Sequence, residues 1–197
     1  MTNTILHIDS SARHTDSVSR DLSARIVAVH PGARVITRDL AETPLPHVTE
    51  DWVAANFTPA DTRTPAQQAV LAQSDALVAE LKEADTVVIG LPIYNFGPPA
   101  ALKAWADLVA RAGTTFQYTP TGPEGLIPNK PVYVIVASGG VPVGSPMDLS
   151  STWLTTFLGF LGLTDVTVIA ADQLNVDPEG ALATAKERVD AVQLAAA

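Results

Sequence analysis

Cysteine is absent from the 197 residues, which excludes disulfides, thiolate metal sites and a cysteine nucleophile. Histidine is scarce. His7, His14, His30 and His47 stand apart with neither H-x-x-x-H nor H-E-x-x-H spacing, so the sequence predicts no catalytic metal. Cations are few as well: 12 Lys and Arg against 21 Asp and Glu leave a net charge of −9. That balance argues against nonspecific binding to nucleic acid or to an acidic membrane. No apolar run is long enough to span a bilayer. No basic segment followed by an apolar stretch opens the chain, so the expectation is a cytoplasmic protein without a signal peptide. Two phosphate-binding signatures are also missing. Neither G-x-x-x-x-G-K-[ST] nor a G-x-G-x-x-G after the first strand occurs, which disfavours nucleoside triphosphate hydrolysis and a Rossmann-bound dinucleotide.

What is present is a globular composition, 47% hydrophobic and 17% charged, long enough for one domain over residues 1–197. Apolar runs at Thr4–Ile8, Ala33–Leu40, Val87–Leu91, Pro131–Ala137 and Val166–Ala171 read as strands. Helical spacing appears over Val18–Val29, over a segment capped by Thr64-Pro65 and running to Glu83, and over Pro99–Ala112. Two further helices are expected from about Ser150 to Leu161 and from Pro178 to the C-terminus. In the Thr64 helix, Val70, Leu71, Leu77, Val78 and Leu81 form the expected buried side. Ala41–Arg63 reads as irregular, with Trp52 and Phe57 packed on something, and Thr114–Leu126 as an excursion. Strands alternating with helices predict an α/β fold: a doubly wound, five-stranded parallel sheet with helices on both faces.

In such a sheet of order 2-1-3-4-5, ligands bind where loops leave the carboxyl ends of strands one, three and four. Those loops are the unusual ones. Asp9–Ser19 is dense in hydroxyls and opens a helix, whose free N–H groups suit a phosphate; ordinary N-capping by Ser17 also explains part of it. After the third strand, Pro92-Ile93-Tyr94-Asn95-Phe96 puts two aromatics around an amide. This fits either a flat, polar-edged ligand or a turn whose aromatics cover the core. Ala137-Ser138-Gly139-Gly140 offers backbone N–H donors, or a plain tight turn. A phosphate tail on a flat heterocycle satisfies all three loops, and flavin mononucleotide (FMN) is such a molecule.

Long ordered segments carry a family resemblance: the Ser11–Ser19 loop, Pro92–Phe96, Leu102–Gly113, Thr115–Tyr118, Gly122–Leu126 and Thr156–Gly162. The chain resembles the FMN-dependent NADH:quinone oxidoreductases and azoreductases of the flavodoxin-like superfamily over nearly its whole length. The resemblance implies that Ser11, Ser17, Val18 and Ser19 surround the FMN phosphate. It implies that Pro92 and Ile93 through Tyr94 and Asn95 to Phe96 line the isoalloxazine, and that Ala137, Ser138, Gly139 and Gly140 meet its polar edge. Tyr118 and Phe160 match positions that wall the substrate pocket. A homodimer with sites at the subunit interface, NADH or NADPH as donor and a quinone or azo-aromatic acceptor are implied with them, and no side chain is implied as a catalytic nucleophile.

Three departures stand out. Arg13 and Asp16 bring opposite charges into a phosphate loop often neutral in relatives, Ala137 lacks a hydroxyl common there, and Gly97-Pro98-Pro99 stiffens the exit from the aromatic loop. Arg63 reads as either an exposed ion pair or a side chain that decides between NADH and NADPH. The rival function is a flavodoxin-type electron carrier that turns over no small substrate, which the acidic surface favours slightly.

Overall fold

The computed structural model describes residues 3–195. Five parallel strands form the central sheet: β1 (Thr4–Asp9), β2 (Arg34–Asp39), β3 (Thr86–Pro92), β6 (Val132–Ala137) and β7 (Val166–Ala171). Their spatial order is β2-β1-β3-β6-β7, which is 2-1-3-4-5 counted over the parallel strands alone. β1 and β3 are buried at every residue, which is why both read as largely apolar runs, with His7 and Asp9 the titratable exceptions of β1. Edge strand β2 is only partly covered, and its Val35 is exposed.

Helices α1 (Val18–Ala28) and α6 (Pro178–Ala195) cover one face. α3 (Pro65–Glu83), α4 (Ala100–Val109) and α5 (Leu149–Leu161) cover the other. The Thr64 signal is a full capping box: its hydroxyl accepts from the Gln67 N–H, and the Gln67 side chain accepts from the Thr64 N–H. The final two residues of the expected last helix, 196–197, lie outside the described residues.

Several local expectations are corrected. The Ala41–Arg63 stretch contains α2 (Glu50–Phe57), capped by Thr49, and a short 3₁₀ turn at Ala60–Thr62. Trp52 is buried as expected, but Phe57 is exposed. The Thr114–Leu126 excursion contains an antiparallel hairpin of β4 (Phe116–Thr119) and β5 (Gly122–Gly125). Pro92 ends β3 from within, in register with Ala137, because the missing N–H falls at the last ladder position. Val70 faces solvent while Leu71, Leu77, Val78 and Leu81 are buried. α4 stops at Val109, earlier than its apolar pattern implies, as the chain turns to place Arg111.

Arg111 is fully buried and braces this side of the molecule. Its guanidinium donates to Asn56 Oδ1 at the end of α2, and to Ser74 Oγ and Asp75 Oδ1 in α3. Four carbonyl and hydroxyl bonds among Val109, Arg111 and Thr115 then lead the chain into the hairpin. Arg63 makes none of the expected ion pairs among the described residues. It donates to the carbonyls of Ala55, Asn56 and Thr58, satisfying the carboxyl end of α2.

Candidate functional site

Register brings the carboxyl ends of three strands to one edge: Asp9 of β1 beside Gly90 of β3, and Pro92 beside Ala137 of β6. The loops leaving them enclose an open cleft. Its walls are Ser11, Arg13 and Asp16 to Ser19 on one side, Pro92 to Tyr94 in the middle, and Ala137 to Gly139 on the other.

The serine loop is not a conventional helix cap. Ser17 occupies the N-cap position of α1, yet its side chain makes no capping hydrogen bond. It donates instead to Ser11 Oγ at 2.9 Å and lies 3.5 Å from Ser19 Oγ. The N–H groups of the first helical turn therefore have no side-chain acceptor, and three nearly buried hydroxyls gather beside them. Tyr94 closes the group from the next loop, its phenol accepting from the Ala12 N–H and lying 3.4 Å from Ser11 Oγ.

The Tyr94–Gly97 segment is a two-residue hairpin. Tyr94 and Gly97 exchange both backbone bonds, at 3.0 and 3.1 Å, while Asn95 and Phe96 have φ of 50° and 70°. Two successive left-handed residues make a type I′ turn, whose second position favours glycine. Phe96 there is strained and exposed. Replacing it by glycine is expected to raise unfolding stability by about 0.5 kcal/mol, the relief of strain exceeding the entropic cost of glycine. A urea-unfolding comparison checks this; a loss of more than 1 kcal/mol, about twice that expected effect, would refute the strain argument.

The glycine loop is held from beneath. Ser138 Oγ accepts from the Val141 N–H, so that hydroxyl shapes the turn. The Ser138 and Gly139 carbonyls accept from Leu174 and Asn175, and both of these also line the cleft. A Cβ on Gly139 would stand 2.7 Å from Asn175 Nδ2. Leu174 and Asn175 escaped sequence reasoning because only the loops after three strands were considered. The strand order itself was the available signal, since β7 lies beside β6.

Of the other expected site residues, Asn95, Phe96 and Gly140 are exposed and do not line the cleft. Tyr118 and Phe160 do not line it either, but both pack on Phe116, with ring centres at 5.5 and 4.5 Å. Arg13 and Asp16, noted only as departures, are cleft residues.

Beneath the serine loop lies a buried polar cluster. His7 Nε2 is 2.9 Å from Ser23 Oγ, which donates to Asp9 Oδ1 at 3.3 Å. Arg20 bridges Asp9 and Asp39. Burial lowers the His7 pKa and raises that of Asp9, whereas the Arg20 hydrogen bonds hold Asp39 down at about 2. His14, Asp39 and Glu42 also bring ligating atoms within 4.8 Å of one another, but Asp39 is committed to Arg20.

The sign of the Asp39 effect is definite. A carboxyl whose pKa is lower folded than unfolded stabilises the fold above its unfolded value near 4, and loses that contribution as pH falls towards 2. Asp9 acts in the opposite sense, favouring the fold when protonated. The expected result is a fall of roughly 2 kcal/mol in stability between about pH 4 and pH 2 from Asp39, much reduced in Asp39→Asn. Urea midpoints measured across that range test it.

Residues 3–194 match the Flavodoxin_2 family, described as having a flavodoxin-like fold. A protein of Jannaschia sp. (strain CCS1) named FMN-dependent NADH:quinone oxidoreductase 1 is 56% identical over 188 residues, spanning 95% of this chain and 97% of its own. One of Erythrobacter litoralis (strain HTCC2594), named FMN-dependent NADH:quinone oxidoreductase, is 50% identical, spanning 96% and 98%. Among solved structures, an FMN-dependent NADH-azoreductase from Bacillus anthracis str. Ames Ancestor in complex with FMN superposes with a TM-score of 0.87 at 26% identity, over 100% of both chains. No helix among the described residues is long and apolar enough to cross a membrane. The chain belongs to the flavodoxin-like family of FMN-dependent NADH:quinone oxidoreductases.

Proposed function

We propose that the protein is an FMN-dependent oxidoreductase that takes electrons from NADH or NADPH and reduces quinones and azo-aromatic compounds by two electrons. The observation that carries this reading is the hydroxyl cradle at α1, where Ser17 leaves the helix end uncapped and turns towards Ser11 and Ser19. Uncapped N–H groups, a helix dipole and convergent hydroxyls suit a phosphate dianion without adding cationic side chains.

The residues present fit FMN. Ser11, Ser17, Val18 and Ser19 would hold its phosphate. Pro92, Ile93 and Tyr94, with Asn95 and Phe96 at the rim, would support the ring. Ala137 to Gly140 would meet its polar edge through backbone donors, and Ser138 keeps that turn in shape. When bound, FMN supplies two-electron hydride chemistry. Donor and acceptor would occupy the same place in turn, a ping-pong order that the open cleft at the strand ends supports.

Tyr118 and Phe160 lie outside the cleft of their own chain, which fits a homodimer in which each subunit walls the other's acceptor pocket. A cytoplasmic location follows from dependence on NADH or NADPH.

The deciding experiment mixes purified flavin-loaded protein with NADH or NADPH and follows flavin absorbance, then adds a simple benzoquinone. Bleaching followed by repeated turnover is expected. Bleaching without turnover would favour the electron-carrier reading, and no bleaching with either nucleotide would sink the proposal.

A further inference from the structure

We propose that Arg20 is a positioning residue that presets the Ser11 loop for a terminal phosphate and so makes the protein select FMN over riboflavin. The inference rests on the FMN reading above. Arg20 sits in the first turn of α1, and its side chain is only 14% exposed. One nitrogen of its guanidinium, Nη2, donates to the Ser11 carbonyl at 2.7 Å. The same guanidinium forks onto Asp39, at 2.5 and 2.9 Å, and lies 3.5 Å from Asp9 Oδ2. Asp39 is itself fixed, because its carboxylate also accepts from the N–H groups of Ala41 and Glu42. Arg20 therefore ties the ends of β1 and β2 to the first residue of the cradle.

What Arg20 fixes is the orientation of Ser11. With its carbonyl pinned from below, Ser11 directs its hydroxyl upward, where it accepts from Ser17 Oγ and from the Arg13 N–H. Release of that carbonyl would let the residue rotate, and the hydroxyl cluster would lose its meeting point. Attraction of the phosphate by the Arg20 charge is the competing explanation. The charges oppose it: two carboxylates, Asp9 and Asp39, lie against one guanidinium, so the cluster offers no surplus positive charge to a dianion. The fork geometry is what matters, and lysine cannot reproduce it.

The test titrates flavin-free protein with FMN and, separately, with riboflavin, following quenching of flavin fluorescence. In both Arg20→Met and Arg20→Lys, the dissociation constant for FMN is expected to rise about 10- to 100-fold, while that for riboflavin changes less than about 3-fold. Asp39→Asn keeps the guanidinium but loosens the fork, and should shift FMN binding in the same direction by about 3- to 10-fold. This variant decides the matter if the Arg20 variants fail to fold. Equal weakening of both ligands would show a merely structural role and overturn the proposal. Wild-type FMN affinity in Arg20→Lys would make charge the cause, overturning it equally. Failure of the wild-type protein to bind FMN would instead overturn the FMN reading itself, so the two failures are distinguishable.

Discussion

Gly125→Ala is expected to lower the melting temperature by about 10 °C, corresponding to roughly 3 kcal/mol of lost stability. Gly125 ends β5 and lies directly against the chain reversal after α5. A Cβ there would fall inside the backbone of Leu161 and Gly162. Backbone cannot rotate aside as a side chain can, so one of the two segments must move. Gly162 cannot yield easily. It closes α5 in the left-handed region at φ 102°, and its own Cβ position is 2.6 Å from the Ile127 carbonyl. The bond from the Ile127 N–H to the Leu161 carbonyl ties the same two segments together.

If Tyr118 and Phe160 wall the acceptor pocket as proposed, displacing the hairpin would also impair turnover, because it carries Tyr118 and packs Phe116 on Phe160. Quinone turnover should therefore fall along with stability, while FMN retention changes little, since no hairpin residue lines the cleft. Gly159→Ala is the control. It lies inside α5 with open space around its Cβ position, so alanine should leave stability unchanged or raise it by up to about 1 kcal/mol. Thermal melts by circular dichroism separate the two. Equal melting temperatures for Gly125→Ala and the wild type would refute the close-approach argument.

The second large effect is expected from Ser17→Asp, a change that should help the helix and abolish the ligand. Aspartate is among the best N-cap residues and places a negative charge at the positive end of the dipole. Flavin-free Ser17→Asp should accordingly fold and melt no lower than the wild type. A carboxylate in the cradle would however face the phosphate dianion at hydrogen-bond distance, with Ser11 and Ser19 beside it. FMN affinity should fall by at least about 100-fold, against about 10-fold for Ser17→Ala, which removes one donor without adding charge. Flavin retained through gel filtration is the readout. Unchanged retention by a folded Ser17→Asp protein would mean the phosphate does not lie at this helix.

The contrast between Ser17 and Thr64 shows how far local chemistry could be read. Both precede helices as capping residues, and Thr64 caps in full because its partner Gln67 lies three residues away. Ser17 is drawn off by Ser11, six residues earlier, across a loop whose shape depends on β1 and on Arg20. The three central strands β1, β3 and β6 were legible because burial on both faces leaves largely apolar runs, whereas the edge strands β2 and β7 are only partly covered and show in their β-branched content. α2 was not, since only Trp52, Ala55 and Asn56 in it are buried, too few for a periodic signal. The β4–β5 hairpin was also hidden. Gly122-Pro123-Glu124-Gly125 has poor strand propensity, and Gly125 is packed against Leu161 and Gly162, more than thirty positions away.

By itself, then, the sequence determined the order of strands and helices, and with it which loops would meet at one rim. Those features are set by local periodicity and by the handedness of parallel crossovers. Only the tertiary structure decided that the serine hydroxyls leave the helix end uncapped, that Leu174 and Asn175 complete the cleft, and that Asn95, Phe96, Tyr118 and Phe160 stand outside it. The closure of the cleft by Leu174 and Asn175 and the packing of Tyr118 and Phe160 on Phe116 depend on contacts between segments distant in the chain. The Ser17 and Asn95–Phe96 geometries depend on loop conformations, and neither kind of dependence leaves a periodic mark along the sequence.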